Sequence, residues 1–213
     1  MNHIRSLLSA AALLSLVAPA DAQASPPSPA NSTVPPCISL VGSNGTTPSQ
    51  AFGQFSVVYR DLANNPIADA LIVIDLSGIP ELFLAADQLD PAAVVSCADK
   101  RVSKRTDASG QVNFCILGAS LEGVPPVVLL NGGKIFAEGT LIGSPTVSAF
   151  DLDGRSGLGA GDLAVFLSDF ASGNPYGRSD FDCSGGIGAN DLRTWLNAFG
   201  SSTQNVSASA ACP

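Results

Sequence analysis

Asp151-Leu-Asp-Gly-Arg-Ser-Gly-Leu-Gly-Ala-Gly-Asp162, with Leu163, Phe166, Leu167 and Phe170 behind it, is matched by a second passage 29 residues later. That passage reads Asp180-Phe-Asp-Cys-Ser-Gly-Gly-Ile-Gly-Ala-Asn-Asp191, followed by Leu192, Trp195, Leu196 and Phe199. A fixed offset that keeps the acids, the glycines and the apolar spacing in step is an internal repeat. A hard cation such as calcium takes six to eight oxygens, which a twelve-residue loop supplies from its first, third, fifth, seventh, ninth and twelfth positions. Asp151, Asp153 and Asp162 fall on the first, third and twelfth positions of loop one. Asp180, Asp182, Ser184 and Asp191 fall on the first, third, fifth and twelfth of loop two. The seventh position gives only its backbone carbonyl, so Gly157 and Gly186 suffice there, while Gly159 and Gly188 leave the ninth position to a water. Leu158 and Ile187, at the eighth positions, are placed to pair the two loops back to back. After each loop, apolar residues at i, i+3, i+4 and i+7 mark one face of an amphipathic helix that starts at the last ligand. Helices this short are marginal alone, so the two are expected to pack on each other, with Trp195 against Phe166 or Phe170.

The pattern resembles the dockerin domain, in which two EF-hand-like loop-helix repeats are closed by Asp. The general EF-hand pattern asks instead for a Glu and an entering helix. The resemblance implies a small α-helical domain over 149–202, two bound Ca2+ ions, and docking onto a cohesin-like or other surface protein. The docking pair of the family stands at the tenth and eleventh positions, here Ala160 and Gly161, then Ala189 and Asn190. Loop one departs from the family, with Arg155 at its fifth position and Ser156 at the usual glycine. A cation in place of a carboxylate weakens that site, so the second loop is expected to bind the more tightly. Beside the docking reading stands a second, in which calcium only folds the repeat pair.

The N-terminus reads as a signal peptide over 1–24: Arg5 opens it, 7–18 is a short apolar core, and Ala20-Asp21-Ala22 or Ala22-Gln23-Ala24 offers the cleavage site. The apolar run is too short to span a bilayer as a mature helix, so the protein is expected to be exported, secreted or held at the cell surface. Its one histidine, His3, leaves with the signal. Without imidazole the mature chain has no Ser-His-Asp or Cys-His machinery and no imidazole for a catalytic zinc, and it is read as non-catalytic. The net charge of −8 argues against nucleic acid, whose phosphates would be repelled.

Residues 25–36, rich in Ser and Pro, read as a flexible linker. From 37 to 148 the period is two. Phe55, Val57 and Tyr59 alternate with polar residues, as do Val112, Phe114 and Ile116, and 70–76 is a continuous β-branched run. Shorter strands are expected over 38–41, 94–97, 101–106, 127–130, 134–137 and 146–150, while 82–95 is ambiguous. Seven to nine short strands at this spacing suggest a β-sandwich. Asp61-Leu-Ala-Asn-Asn-Pro-Ile-Ala-Asp-Ala-Leu-Ile-Val and Thr106-Asp-Ala-Ser-Gly-Gln-Val-Asn-Phe resemble bacterial immunoglobulin-like domains of surface proteins. The resemblance implies a spacer, an adhesin module or a mount for another domain, and carbohydrate binding is a weaker alternative. The expected class is therefore mainly β, an immunoglobulin-like sandwich followed by the small helical repeat domain and a tail over 203–213. Lys100, Arg101, Lys104 and Arg105 are read as charges protecting an exposed edge strand.

Five cysteines in an exported chain imply two disulfides and one left over. Cys183, in loop two, is expected to pair with Cys212 in the tail. Cys37, Cys97 and Cys115 compete for the other bridge. A hairpin turning at 107–110 would set Cys115 opposite Val102, which favours Cys37 with Cys97.

Overall fold

A computed structural model describes residues 25–121, 123–155, 157–206 and 212; the signal-peptide reading of 1–24 and the Ser156 position lie outside them. The chain is mainly β. In order come β1 (Cys37–Leu40), β2 (Gly45–Thr47), β3 (Gln54–Val58), β4 (Leu71–Asp75), β5 (Leu82–Leu84), β6 (Val94–Ser96) and β7 (Arg101–Arg105). There follow β8 (Gln111–Cys115), β9 (Gly118–Ser120), β10 (Lys134–Ala137), β11 (Thr140–Gly143) and β12 (Thr146–Ala149). The helices α1 (Ala160–Ser172) and α2 (Ala189–Gly200) precede a last strand, β13 (Gln204–Val206).

The largest sheet runs β11-β10-β4-β7-β6, and β3 with β8, β5 with β9, β13 with β2, and β1 with β12 form two-stranded ladders. The β1–β12 pair is parallel, in register from Cys37 with Thr146 to Leu40 with Ala149. Ile38, Leu40, Val57, Tyr59, Ile72, Ile74, Val102, Val112, Phe114, Ile135 and Val147 from these ladders bury together in one apolar core. The alternation in 55–59 and 112–116 thus has its expected cause: Val57 and Val112, Phe55 and Phe114, face each other across β3 and β8.

Several details differ from the sequence reading. The turn at 107–110 is not a hairpin, since β7 pairs with β4 and β6 while β8 pairs with β3. It carries the chain from one sheet to another, held by Asp107 Oδ1, which accepts from the amides of Ser109 (2.8 Å) and Gln111 (3.0 Å). Gly110 is left-handed there (φ 73°), and a Cβ would lie 2.6 Å from the Tyr59 carbonyl oxygen. Because β7 is internal to its sheet, its cations do not guard an edge. They are paired locally instead: Arg101 with Asp75 (2.9 Å), Lys104 with Asp90 (2.5 Å), and Lys100 Nζ with the carbonyls of Ile79, Pro80 and Leu82. The region 127–130 forms no strand, whereas 82–84 and 140–143 do. The second of these follows Glu138 and Gly139, both at positive φ, the conformation of a tight hairpin turn. Residues 25–36 are not a free linker. Thr33 and Val58 exchange backbone hydrogen bonds (2.8 and 2.9 Å), and the Ser28 amide donates to the Arg60 carbonyl (3.1 Å), so the segment lies along the outer side of β3.

The cysteines pair Cys37–Cys183 and Cys97–Cys212, with Cys115 free. Both expected pairings, Cys183–Cys212 and Cys37–Cys97, are thereby corrected. The Cys212 amide donates to the Leu84 carbonyl (2.8 Å), so the end of the chain returns to the β body rather than to loop two.

Between the helices, the 3-10 turn Gly177–Ser179 places Arg178 against Asp169 of α1, with two hydrogen bonds of 2.8 and 2.6 Å. Ser179 adds a third to the same carboxylate (2.7 Å), and both charged side chains are under 10% exposed. Removing one member of a buried ion pair strands the other charge and costs about 3–5 kcal/mol. Asp169→Ala is therefore expected to lower the unfolding free energy by about that amount, read from the denaturant midpoint at pH 7, whereas Asp107→Ala, at an exposed turn, is expected to cost far less.

Candidate metal centre

Loop one begins where β12 ends. The Phe150 amide donates to the Leu40 carbonyl (3.0 Å), and the Asp151 carbonyl accepts from the Ser120 amide (2.9 Å), which fixes the first position of the loop against the β body. Farther along, the Leu158 amide donates to the Thr46 carbonyl (2.8 Å), and Gly157 bridges to Thr46 as a parallel partner. The glycine at the seventh position is thus explained by close approach: a Cβ at Gly157 would run into the Thr46 backbone. Leu158 and Ile187, expected to pair the loops, both pack into the same apolar cluster.

Each loop wraps its amides around its own acids. In loop one, Asp162 Oδ1 accepts from Leu152 (2.6 Å) and Asp153 (3.0 Å), and Oδ2 accepts from Gly159 (2.7 Å). Asp151 Oδ1 accepts from Gly154 (2.7 Å), and Asp153 Oδ1 from Arg155 (2.8 Å). In loop two, Asp191 Oδ1 accepts from Asp182 (3.0 Å) and Oδ2 from Gly188 (2.8 Å). The Asp180 oxygens accept from Ser184 and Gly185, each at 3.1 Å. Asp162 and Asp191 therefore have two jobs. Each sits in the first turn of its helix, where a carboxylate complements the exposed amides and the helix dipole, and each also faces back into its loop.

One carboxylate oxygen from each of Asp151, Asp153 and Asp162 lies within 4.8 Å of the others, and the same holds for Asp180, Asp182 and Asp191. The structure thus brings together both predicted acid triplets. Ser184 contributes differently, its hydroxyl donating to the Gly186 carbonyl (3.3 Å) at the seventh position. Asp151, Asp162, Asp180 and Asp191 are all at most 1% exposed. Asp151 Oδ2 is buried and has no hydrogen-bond partner among the described residues. An unpaired carboxylate oxygen in such a place is costly, and burial, reinforced by Asp162, pushes Asp151 up to about 7. Burial also raises Asp162 and Asp180. Asp182, exposed and hydrogen-bonded by Ser184, whose amide donates to it (3.0 Å), is lowered.

No known family, characterised protein or solved structure matches this chain.

The four expected docking positions are all exposed: Ala160 and Gly161 at the start of α1, Ala189 and Asn190 at the start of α2. Two of them also serve the loops. A Cβ at Gly161 would collide with Asp153 Oδ2, and the Asn190 side chain bonds Asp182. The helices do not hide their apolar faces as expected. Phe166 and Trp195 are buried, but Leu167, Phe170, Leu196 and Phe199 are about half exposed. Trp195 stacks on Phe199 (5.4 Å) and Phe166 on Phe181 (6.3 Å); Trp195 and Phe166 share one buried cluster, to which Phe170 does not belong. What sequence reasoning missed is the bed beneath the loops, formed by Thr46, Ser120, Phe52 and Phe150. These belong to the β region, all but Phe150 lie far from the loops in sequence, and no local pattern marked them.

The raised carboxylates set a pH dependence for the metal-free protein. A carboxyl whose folded pKa lies above its unfolded value binds its proton more tightly when folded, so stability falls as pH rises from about 4 to about 7 and then levels. The lowered carboxyls, Asp61, Asp75, Asp90, Asp107 and Asp182, act below that window. In chelator, the melting temperature is expected to be higher at pH 5 than at pH 7.5, and Asp151→Asn is expected to flatten most of that slope.

Proposed function

We propose that the two loops bind calcium and that the chain is an exported, non-catalytic protein of the dockerin kind, carrying its docking module on an immunoglobulin-like sandwich. The observation that carries the metal reading is the Asp151 carboxylate, fully buried with one oxygen unpartnered and two further acids beside it. An ion in that position would meet the charge and the open coordination site together. The donors are all oxygens from carboxylates and carbonyls, with the spacing of a twelve-residue calcium loop, which suits a hard cation. Asp151, Asp153, Asp162 and the Gly157 carbonyl would hold one ion; Asp180, Asp182, Asp191, Ser184 and the Gly186 carbonyl would hold the other. Two disulfides support an oxidising compartment. Among the described residues no helix is long and apolar enough to cross a membrane.

The docking reading is supported by the equivalent, half-exposed pairs Leu167 with Phe170 and Leu196 with Phe199, next to the exposed starts of both helices. Such a paired apolar surface suits a cohesin-like or other surface protein. The second reading, in which calcium is structural only, is favoured by how tightly loop one is built into the β body through Thr46 and Ser120.

Calorimetry on the chain lacking its leader is expected to show two calcium ions bound, with Asp180→Ala losing the tighter site and Asp151→Ala the weaker one. Calcium at a hundred times its dissociation constant should stabilise each site by about 2.7 kcal/mol. Chelation should shift the emission of the single, buried Trp195 to the red; emission that ignores calcium would remove the metal assignment. For docking, a pull-down from extracellular fractions should capture a partner in calcium and release it in chelator. Phe170→Ser with Phe199→Ser should abolish capture while leaving calcium binding unchanged, and retained capture would leave the structural role standing alone.

A further inference from the structure

The two loops share a backbone feature that they achieve with different residues. The fourth position is left-handed in both: Gly154 at φ 70° in loop one, Cys183 at φ 53° in loop two. Glycine takes this conformation without penalty, whereas a residue with a Cβ is strained in it. Loop two therefore needs something to hold its fourth residue in place. Cys183 is the residue that is disulfide-bonded to Cys37, at the first position of β1, with Cα atoms 5.9 Å apart.

The two loops also differ in how they are anchored. Loop one is tied to the β body by backbone hydrogen bonds, Asp151 to Ser120 and Leu158 to Thr46. The amides of loop two turn inward to Asp180, Asp182 and Asp191. Its outward ties are apolar contacts, chiefly Phe181 stacked on Phe150 (4.9 Å) and on Phe166 (6.3 Å) with Ile187 against the same cluster, and one covalent tie, the disulfide. That disulfide reaches the same β1–β12 ladder that delivers Asp151 to loop one, since Cys37 is in register with Thr146 and β12 runs directly into Phe150.

From these facts we infer that the Cys37–Cys183 disulfide is an affinity determinant of the second calcium site: it holds position four of loop two left-handed and so couples calcium binding there to the oxidation state of this cysteine pair. The inference rests on the calcium reading of the loops. Reduction by a thiol such as glutathione breaks the S–S bond. Two glutathione thiols supply two electrons and two protons, Cys37 and Cys183 leave as thiols, and glutathione disulfide is formed. Calcium affinity at loop two then falls because Cys183 is free to leave the left-handed region.

The test measures calcium by calorimetry on the full chain without its leader. Cys37→Ala with Cys183→Ala is expected to weaken the loop-two site about tenfold, the equilibrium equivalent of holding one non-glycine residue left-handed. Cys97→Ala with Cys212→Ala should leave that site within about twofold of the parent, the size of ordinary context variation. Cys37→Ala with Cys183→Gly should fall between the parent and the double alanine variant. Equal affinity of parent and double alanine variant, or equal affinity of the glycine and alanine variants, overturns the inference.

A second measurement needs no variant. Coupling is reciprocal, so in a glutathione redox buffer saturating calcium should raise the oxidised-to-reduced ratio of Cys183 by the same factor relative to chelator. The ratio is read by alkylation and mass spectrometry, with Cys97 as the internal control. A ratio that ignores calcium while the parent binds two ions overturns this inference alone; a parent that binds no calcium overturns it together with the metal assignment.

Discussion

The C-terminal part of the chain hangs on Phe150. Its amide is bound to Leu40, so it continues the β1–β12 ladder, and its carbonyl accepts the indole N–H of Trp195 (3.0 Å). Its ring meets Phe181 face to face and Phe52 edge-on (6.0 Å). One residue thus joins the β core, the second residue of loop two and the centre of α2, and the next residue is the first acid of loop one. The loops and helices are laid onto the β body around a second apolar cluster, which begins where β12 ends. Phe166 of α1, Trp195 and Ala198 of α2, and Leu158 and Leu152 complete the buried cluster around Phe150, so the two short helices meet through it.

Burying five aspartates in this part of the chain calls for two different solutions. Asp169 is neutralised by Arg178, with Ser179 satisfying its remaining valence. The Arg178 guanidinium also reaches the Ser120 hydroxyl (3.4 Å), whose own amide holds Asp151. A structural ion pair and the candidate metal loop therefore share one residue of β9. The loop acids are treated otherwise. They are surrounded by backbone amides, which favour the charged form, yet burial outweighs those bonds at Asp151, Asp162 and Asp180. Amides orient such carboxylates without cancelling their charge, an arrangement that suits a cation more than it suits an empty loop.

The two disulfides add a constraint of another kind. Cys37–Cys183 and Cys97–Cys212 close 146- and 115-residue separations, each joining the C-terminal part to the β body. The β13–β2 ladder and the Ser49 amide bond to Ser201 Oγ (3.1 Å) bind the same two parts without covalent help. The helical part is fastened at its start, its middle and its end. Its exposed face, marked by Phe170 and Phe199, is in consequence a fixed surface.

What the sequence determined by itself was whatever depends on residues a few positions apart. The acid triplets, the presence of a helix behind each loop (though it starts two residues earlier than expected, at Ala160 and Ala189), the strands around 55–58, 71–75 and 112–115, and the turn at Asp107 all arise from i to i+4 hydrogen bonding or from period-two burial, and those forces are written in adjacent letters. Cys183 could be seen to lie in a loop, but its partner could not, because pairing depends on which Cα atoms the fold brings to within about 6 Å. The turn at 107–110 looked like a hairpin because a tight turn is the same local object whether its strands pair or part; only the core decided that β7 goes to β4 and β8 to β3. Phe166 and Phe170 have equal claims to burial by spacing, yet the limited surface offered by Phe150 and Phe181 covers the first and leaves the second in water. Tertiary structure decided, for the same reason, that Gly157 must be glycine: the chain segment that would collide with a side chain there, Thr46, is 111 residues away in sequence.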